Sequence, residues 1–140
     1  MKRSFHIEAP VETVFEYLKD PTNDQDFLGY QIDDIKVTKE GVGTYYSWHA
    51  KIAGMPLRGF EVVTEFNPNK HVTERSSNPM VGTWSYDLEP EGSGTKLTME
   101  HKLDSFWRLP PLRNLIDLFT ERMSGVYMRR VRKAIETPAS

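Results

Sequence analysis

The sequence predicts an α+β fold: a curved antiparallel sheet of about seven strands, wrapped around a long C-terminal helix, with two short helices after the first strand. Three observations carry that prediction. Apolar residues recur at every second position from Tyr30 to Phe106, in runs separated by short turns. Short turns join antiparallel neighbours, because a parallel pair needs a crossover of a dozen or more residues. From Leu112 the period changes to three and four, with Leu115, Ile116, Phe119, Met123, Val126 and Tyr127 forming one apolar stripe. Such a stripe needs a large apolar partner, and the sheet supplies it, with an internal cavity beneath the helix.

The elements follow in order. Ser4 to Glu8 alternates, with Phe5 and Ile7 on one face, and reads as a first strand. Pro10 is placed to open a helix carrying Val11, Val14, Phe15 and Leu18, and Asp20-Pro21 closes it. Thr22 to Gly29 is a second short helix or a loop presenting Phe27 and Leu28. Strands are then expected over Tyr30–Lys39, Thr44–Ala53, Leu57–Phe66, His71–Ser77, Met80–Leu88 and Thr95–Phe106. The turns between them hold Glu40 to Gly43, Gly54-Met55-Pro56, Asn67 to Lys70, Asn78-Pro79 and Glu89 to Gly94. Pro110-Pro111 ends the last strand and frees Leu112 to Glu136 to run as the long helix. At Ser124-Gly125 the apolar set rotates, which points to a kink or to a helix that wraps a twisted surface.

Composition narrows the functional classes. The chain has 140 residues, expected to form one domain over 1–140, with 38% hydrophobic and 27% charged residues. A net charge of −2 gives no reason to expect nucleic acid binding. Without cysteine there is no disulfide or thiolate chemistry. Met1 to Ala9 lacks the apolar core of a signal peptide, and no apolar run approaches the roughly 20 residues needed to span a bilayer. A cytoplasmic location is the expectation. His6, His49, His71 and His101 fall on separate strands without metal spacing, so neither a metal nor another cofactor is implied. The glycines are hairpin glycines rather than a phosphate cradle, and no serine stands in a nucleophile elbow.

Several stretches together carry a family resemblance: "SFHIEAPVETVFEYLKDP" at the start, "GVGTYY" and "VVTEFNPNK" flanking the third and fourth strands, "GSGTKLTMEH" entering the seventh, and the closing "VRKAIE". In this order, over essentially the whole chain, they resemble the START-like (SRPBCC) helix-grip superfamily, which includes polyketide cyclase/dehydrase-like and lipid-transfer proteins. Phe27 stands where many relatives carry a tryptophan. The resemblance implies a helix-grip fold with a ligand cavity, and leaves the reaction open, since a fold does not fix a function.

Strand alternation sorts the residues expected to line that cavity. Tyr46, Trp48, Ala50 and Ile52 form the more apolar face of their strand, and Trp84 and Tyr86 are expected to join them, with Phe60 and Val62 from the strand between. Phe27, Phe106, Phe119, Met123 and Tyr127 complete the expected ligand-binding set. Apolar loops at 55–57, 78–81 and 106–109 gather at one pole and are expected to form the mouth. The partner expected is a small hydrophobic ligand of lipid, isoprenoid or polyketide type, held by a carrier or sensor. The alternative is a cyclase or dehydratase working without a metal, with His101, Tyr46, Tyr86 and Arg122 as the residues to test for catalysis. A third reading docks the apolar pole on a membrane or a partner, with Trp107 as anchor. The sequence carries no signature of oligomeric state.

Overall fold

Seven strands pair into one antiparallel sheet, and a 25-residue helix crosses its inner face. A computed structural model describes residues 2–20, 23, 31–52, 54–77, 81–103 and 110–136. The elements are β1 (Lys2–Ile7), α1 (Val11–Leu18), β2 (Gln31–Lys36), β3 (Tyr45–Ile52), β4 (Met55–Asn67), β5 (His71–Ser77), β6 (Gly82–Glu91), β7 (Gly94–Leu103) and α2 (Leu112–Glu136). Strands β2 to β7 form a meander, and β1 closes onto β7, giving the order β1-β7-β6-β5-β4-β3-β2. This is the helix-grip arrangement. The segment expected to hold a second short helix lies outside the described residues except for Asn23, whose side-chain amide donates to the Tyr17 carbonyl at 2.8 Å.

Two strands differ from the alternation read in the sequence. Strand β6 runs on through Pro90 to Glu91, so the turn expected over Glu89 to Gly94 shrinks to Gly92-Ser93, with Gly92 at φ +60°. Proline is tolerated there because of where its nitrogen points. The Leu88 N–H donates toward β5, to the Lys70 carbonyl, and Pro90 has the same parity. Pairing with β5 stops at Asp87, so no strand waits for the donor that Pro90 lacks. In β4, a register shift between Val63 and Glu65 changes which parity faces inward. Glu61 and Val63 point in before it, and Phe66 after it, where its ring packs edge-on against Phe15 at 5.4 Å.

The core lies between the sheet, α1 and the second half of α2. Val14, Phe15 and Leu18 of α1 meet Ile7, Val72 and Leu97 of the sheet, and Met128 and Val131 of α2 close the layer. Polar clamps fix α2 across β1. Arg132 donates from Nε and Nη2 to the His6 carbonyl at 3.1 and 3.0 Å, and Glu136 accepts from the Glu8 N–H at 2.8 Å. Helix α2 is continuous through Gly125. The apolar stripe read for its first half is corrected at Leu115, which is 64% exposed. At ~100° per residue, Leu115 stands about half a turn away from Ser124, which is buried.

Candidate functional site

Residues directly opposite each other in an antiparallel pair share a face. The register therefore lays the inner surface of the sheet out in rows. One row reads Tyr46, Glu61, Ser76, Gly82 across β3 to β6. The next reads Val63, Glu74, Trp84, His101 across β4 to β7. A third, Phe66, Val72, Tyr86, Met99, is almost wholly apolar. The inner face is thus divided into an apolar floor and a polar belt two rows deep.

A pocket of about 100 Å³ lies where belt and floor meet. Its walls come from Tyr46, Trp48, Glu61, Glu74, Trp84 and Tyr86, with Leu97 and Met99 from β7, and Leu18 and Tyr127 close it from α1 and α2. Drug-sized ligands occupy sites of roughly 300–1,000 Å³. The described walls therefore hold about one ring, because aromatic side chains fill much of the space under the helix.

Glu61 is the unusual member of this wall. It is 7% exposed. Ser76 Oγ lies 2.9 and 2.7 Å from its two carboxyl oxygens, and Trp48 Nε1 donates to Oε1 at 3.3 Å. Burial pushes the Glu61 carboxyl up to about 7, against the downward pull of Ser76 and Trp48. Gly59 makes the arrangement possible. An added Cβ there would lie 2.2 Å from Trp48 Cζ2 and 2.3 Å from Cε2, so the indole rests flat on bare backbone with its N–H aimed at Glu61. Beside it, the Tyr46 hydroxyl donates to Glu74 Oε2 at 3.2 Å.

His101 of β7 is 5% exposed and stacks on Trp84, a member of the pocket wall, with ring centroids 3.8 Å apart and planes within 6°. Burial pushes its imidazole down to about 4, so it is neutral at ordinary pH. The other three histidines lie on the outer face, each hydrogen-bonded to at least two side chains. His6 is held by Glu8 and Glu91, His49 by Asp33 and Gln31, and His71 by Asp87 and Glu65.

Of the residues read as cavity-lining from sequence, Tyr46, Trp48, Trp84, Tyr86 and Tyr127 come together around this pocket. Phe60 and Val62 do not. Phe60 is 37% exposed and lies against Tyr45 on the outer face, at 5.3 Å between rings, and Val62 pairs opposite Tyr45. The inward positions of β4 belong instead to Gly59, Glu61 and Val63. Arg122 is exposed on α2, away from the pocket walls. Phe27, Phe106 and Trp107 lie outside the described residues, as do the side chains of Phe119 and Met123 and most of the apolar pole. Glu61, Glu74 and Ser76 were missed as site residues. Gly59 is the signal that could have found Glu61, since an isolated glycine inside a strand marks a close approach.

Comparison with known proteins places these features in context. The family model described as "Polyketide cyclase / dehydrase and lipid transport" matches residues 1–136. A search of curated protein sequences finds no match. Among solved structures, a protein from Chromobacterium violaceum superposes with a TM-score of 0.76 at 15% identity, covering 99% of this chain and 98% of that one. A protein from Thermus thermophilus gives 0.72 at 20% identity, covering 100% and 99%. The di-domain ARO/CYC protein BexL of the BE-7585A biosynthetic pathway gives 0.75 at 15% identity, with 99% of this chain covering 50% of that one. These likenesses show a shared fold.

Proposed function

The chain belongs to the polyketide cyclase / dehydrase and lipid transport family, within the START-like superfamily, and we propose that it binds a small hydrophobic ligand between the sheet and α2, as a carrier or sensor. One observation carries the reading: a pocket walled by aromatic rings that also exposes a buried, hydrogen-bonded carboxyl. A purely structural core gains nothing from a buried carboxyl, which costs stability unless something uses it. Ring faces and a few fixed polar groups are what an apolar ligand with one polar end needs. Lipid, isoprenoid and polyketide chemistry all fit that description. Native mass spectrometry of protein purified from its host tests the reading. A co-purifying ligand that dissociates when Trp84 is replaced by Ala is the expected result, and a wild-type protein that carries and takes up no apolar molecule would overturn it.

A second reading has its own observation in support. A carboxyl near neutrality suits general acid–base work, which is most effective when the group titrates near the operating pH. In a cyclase or dehydratase of the polyketide type, Glu61 would take that role, with Tyr46 opposite it on β3; His101 lies three strands away. Arg122 has no place in it. Turnover of a linear poly-β-ketone substrate that disappears in Glu61→Gln separates this reading from a carrier, which binds without turnover.

A further inference from the structure

The polar groups of the pocket say which end of a ligand it accepts. A carboxyl group offers about four lone-pair positions. Among the described residues, Glu61 receives two hydrogens, one from Ser76 Oγ and one from Trp48 Nε1, and it lines the pocket with acceptor capacity to spare. Its neighbour Tyr46 directs its hydroxyl hydrogen at Glu74, the second carboxyl of the wall. The described lining contains these two carboxyl groups and no lysine, arginine or histidine.

We propose that the pocket selects its ligand by a hydrogen-bond donor on an apolar ring, a phenol-type or enol hydroxyl that donates to Glu61, and that it rejects carboxylates. The proposal rests on the ligand-binding reading above and names the ligand class. A hydroxyl on a ring seated against Trp48 and Trp84 meets an acceptor held in place by two protein donors, so the carboxyl needs no reorganisation to receive it. A free fatty acid or an aryl carboxylate entering the same space sets its negative charge against the buried Glu61 carboxyl, where like charges repel strongly. A pocket of about 100 Å³ is on the scale of the ~150 Å³ dry cavity that holds benzene, so single-ring probes match it.

Three probes differing in one substituent test this: toluene, p-cresol and 4-methylbenzoate, titrated into the 15N-labelled full-length chain at about pH 8 and followed by amide shifts on β3, β4 and β6. A hydrogen bond to a charged acceptor in a protected site is worth about tenfold or more in affinity. p-Cresol is expected to bind about tenfold tighter than toluene, and 4-methylbenzoate more weakly than either. In Glu61→Gln, the p-cresol advantage falls to about threefold or less, toluene is unchanged, and 4-methylbenzoate gains. If toluene and p-cresol bind wild type equally, or if the preference survives Glu61→Gln, donor selection is wrong while ligand binding stands. If none of the three shifts a pocket resonance, the ligand-binding reading falls and takes this one with it. The wild-type comparison needs no variant, so a poorly folding Glu61→Gln would not shield the proposal.

Discussion

Glu61 makes a prediction that can be worked from the structure without knowing any ligand. Its carboxyl titrates at about 7 in the folded chain and at 4.5 as an ordinary glutamate. Below pH 4.5 it is protonated in both states and burial costs little. Between 4.5 and 7 the unfolded chain loses the proton while the folded chain keeps it, so stability falls as pH rises. Above 7 the group is ionised in both states and the full cost is present. The gap corresponds to about 3 kcal/mol. Glu61→Gln removes the ionisation and keeps the shape and an acceptor for Ser76 and Trp48. The variant should match wild type near pH 4 and exceed it by about 3 kcal/mol at pH 8, a shift of roughly 1–2 M in urea midpoint. Tryptophan-monitored urea unfolding at both pH values measures this. A difference between the two proteins that is the same at pH 4 and pH 8 would refute the desolvation argument.

The wild-type profile alone cannot reveal this cost, because His101 works in the opposite direction. Its imidazole titrates at about 4 folded against 6.5 ordinarily, so the stability it confers is complete above 6.5 and is lost as pH falls toward 4. From pH 4.5 to 6.5 the slopes of these two groups oppose each other. Glu61 and His101 sit three strands apart in the sheet, far enough for their effects to add. Removing either one exposes the slope of the other.

His101→Phe, which retains a ring to stack on Trp84, should therefore lose less stability than wild type on acidification from pH 7 to 4, by about 3 kcal/mol in paired urea curves; parallel acid limbs would count against a buried neutral imidazole. Gly59→Ala drives a methyl into the Trp48 indole and should cost about 1–3 kcal/mol, with a red-shifted tryptophan emission as the ring is displaced; an unchanged spectrum and melting temperature would show that the indole does not lie where described. Met128→Ala empties a fully buried site between α2 and the sheet and should cost about 2–5 kcal/mol in thermal or urea unfolding; a cost below about 1 kcal/mol would mean that this half of α2 does not grip the core.

The fold was legible because its signals are periodic. Period two over 30–106, turn residues between the runs and a three-four period from Leu112 locate the strands and α2 to within a few residues. What was not legible required knowing which side of a strand was buried. Phe60 and Val62 look like the inward face of β4, since apolar residues usually are. The pairing with β3 decides otherwise: the tight turn that sets Ile52 opposite Met55 brings Trp48 opposite Gly59 and Tyr46 opposite Glu61. One position of parity moves every side chain of a strand to the other face. Leu115 fails for a related reason, since a three-four stripe admits neighbours that diverge around the helix, and only contact with the sheet chooses among them.

The reversed facing of Phe60 and Glu61 is informative in itself. Local pattern and observed burial agree along most of β3, β5 and β7, where the alternating apolar side is the buried side. They disagree on β4, where a phenylalanine is turned out and a carboxyl is turned in. Sequences consistent at every level fold most cleanly, and conflicts tend to collect at functional sites. Phe60 and Glu61 could exchange faces only by shifting β4 one residue, which would also carry Gly59 away from the Trp48 indole. The glycine, the indole, the serine and the carboxyl are thus one arrangement. It is destabilising above pH 7 by the same burial that fits the carboxyl to receive a donor, and a cost of that kind is expected where ligand binding, rather than folding, has set the residue.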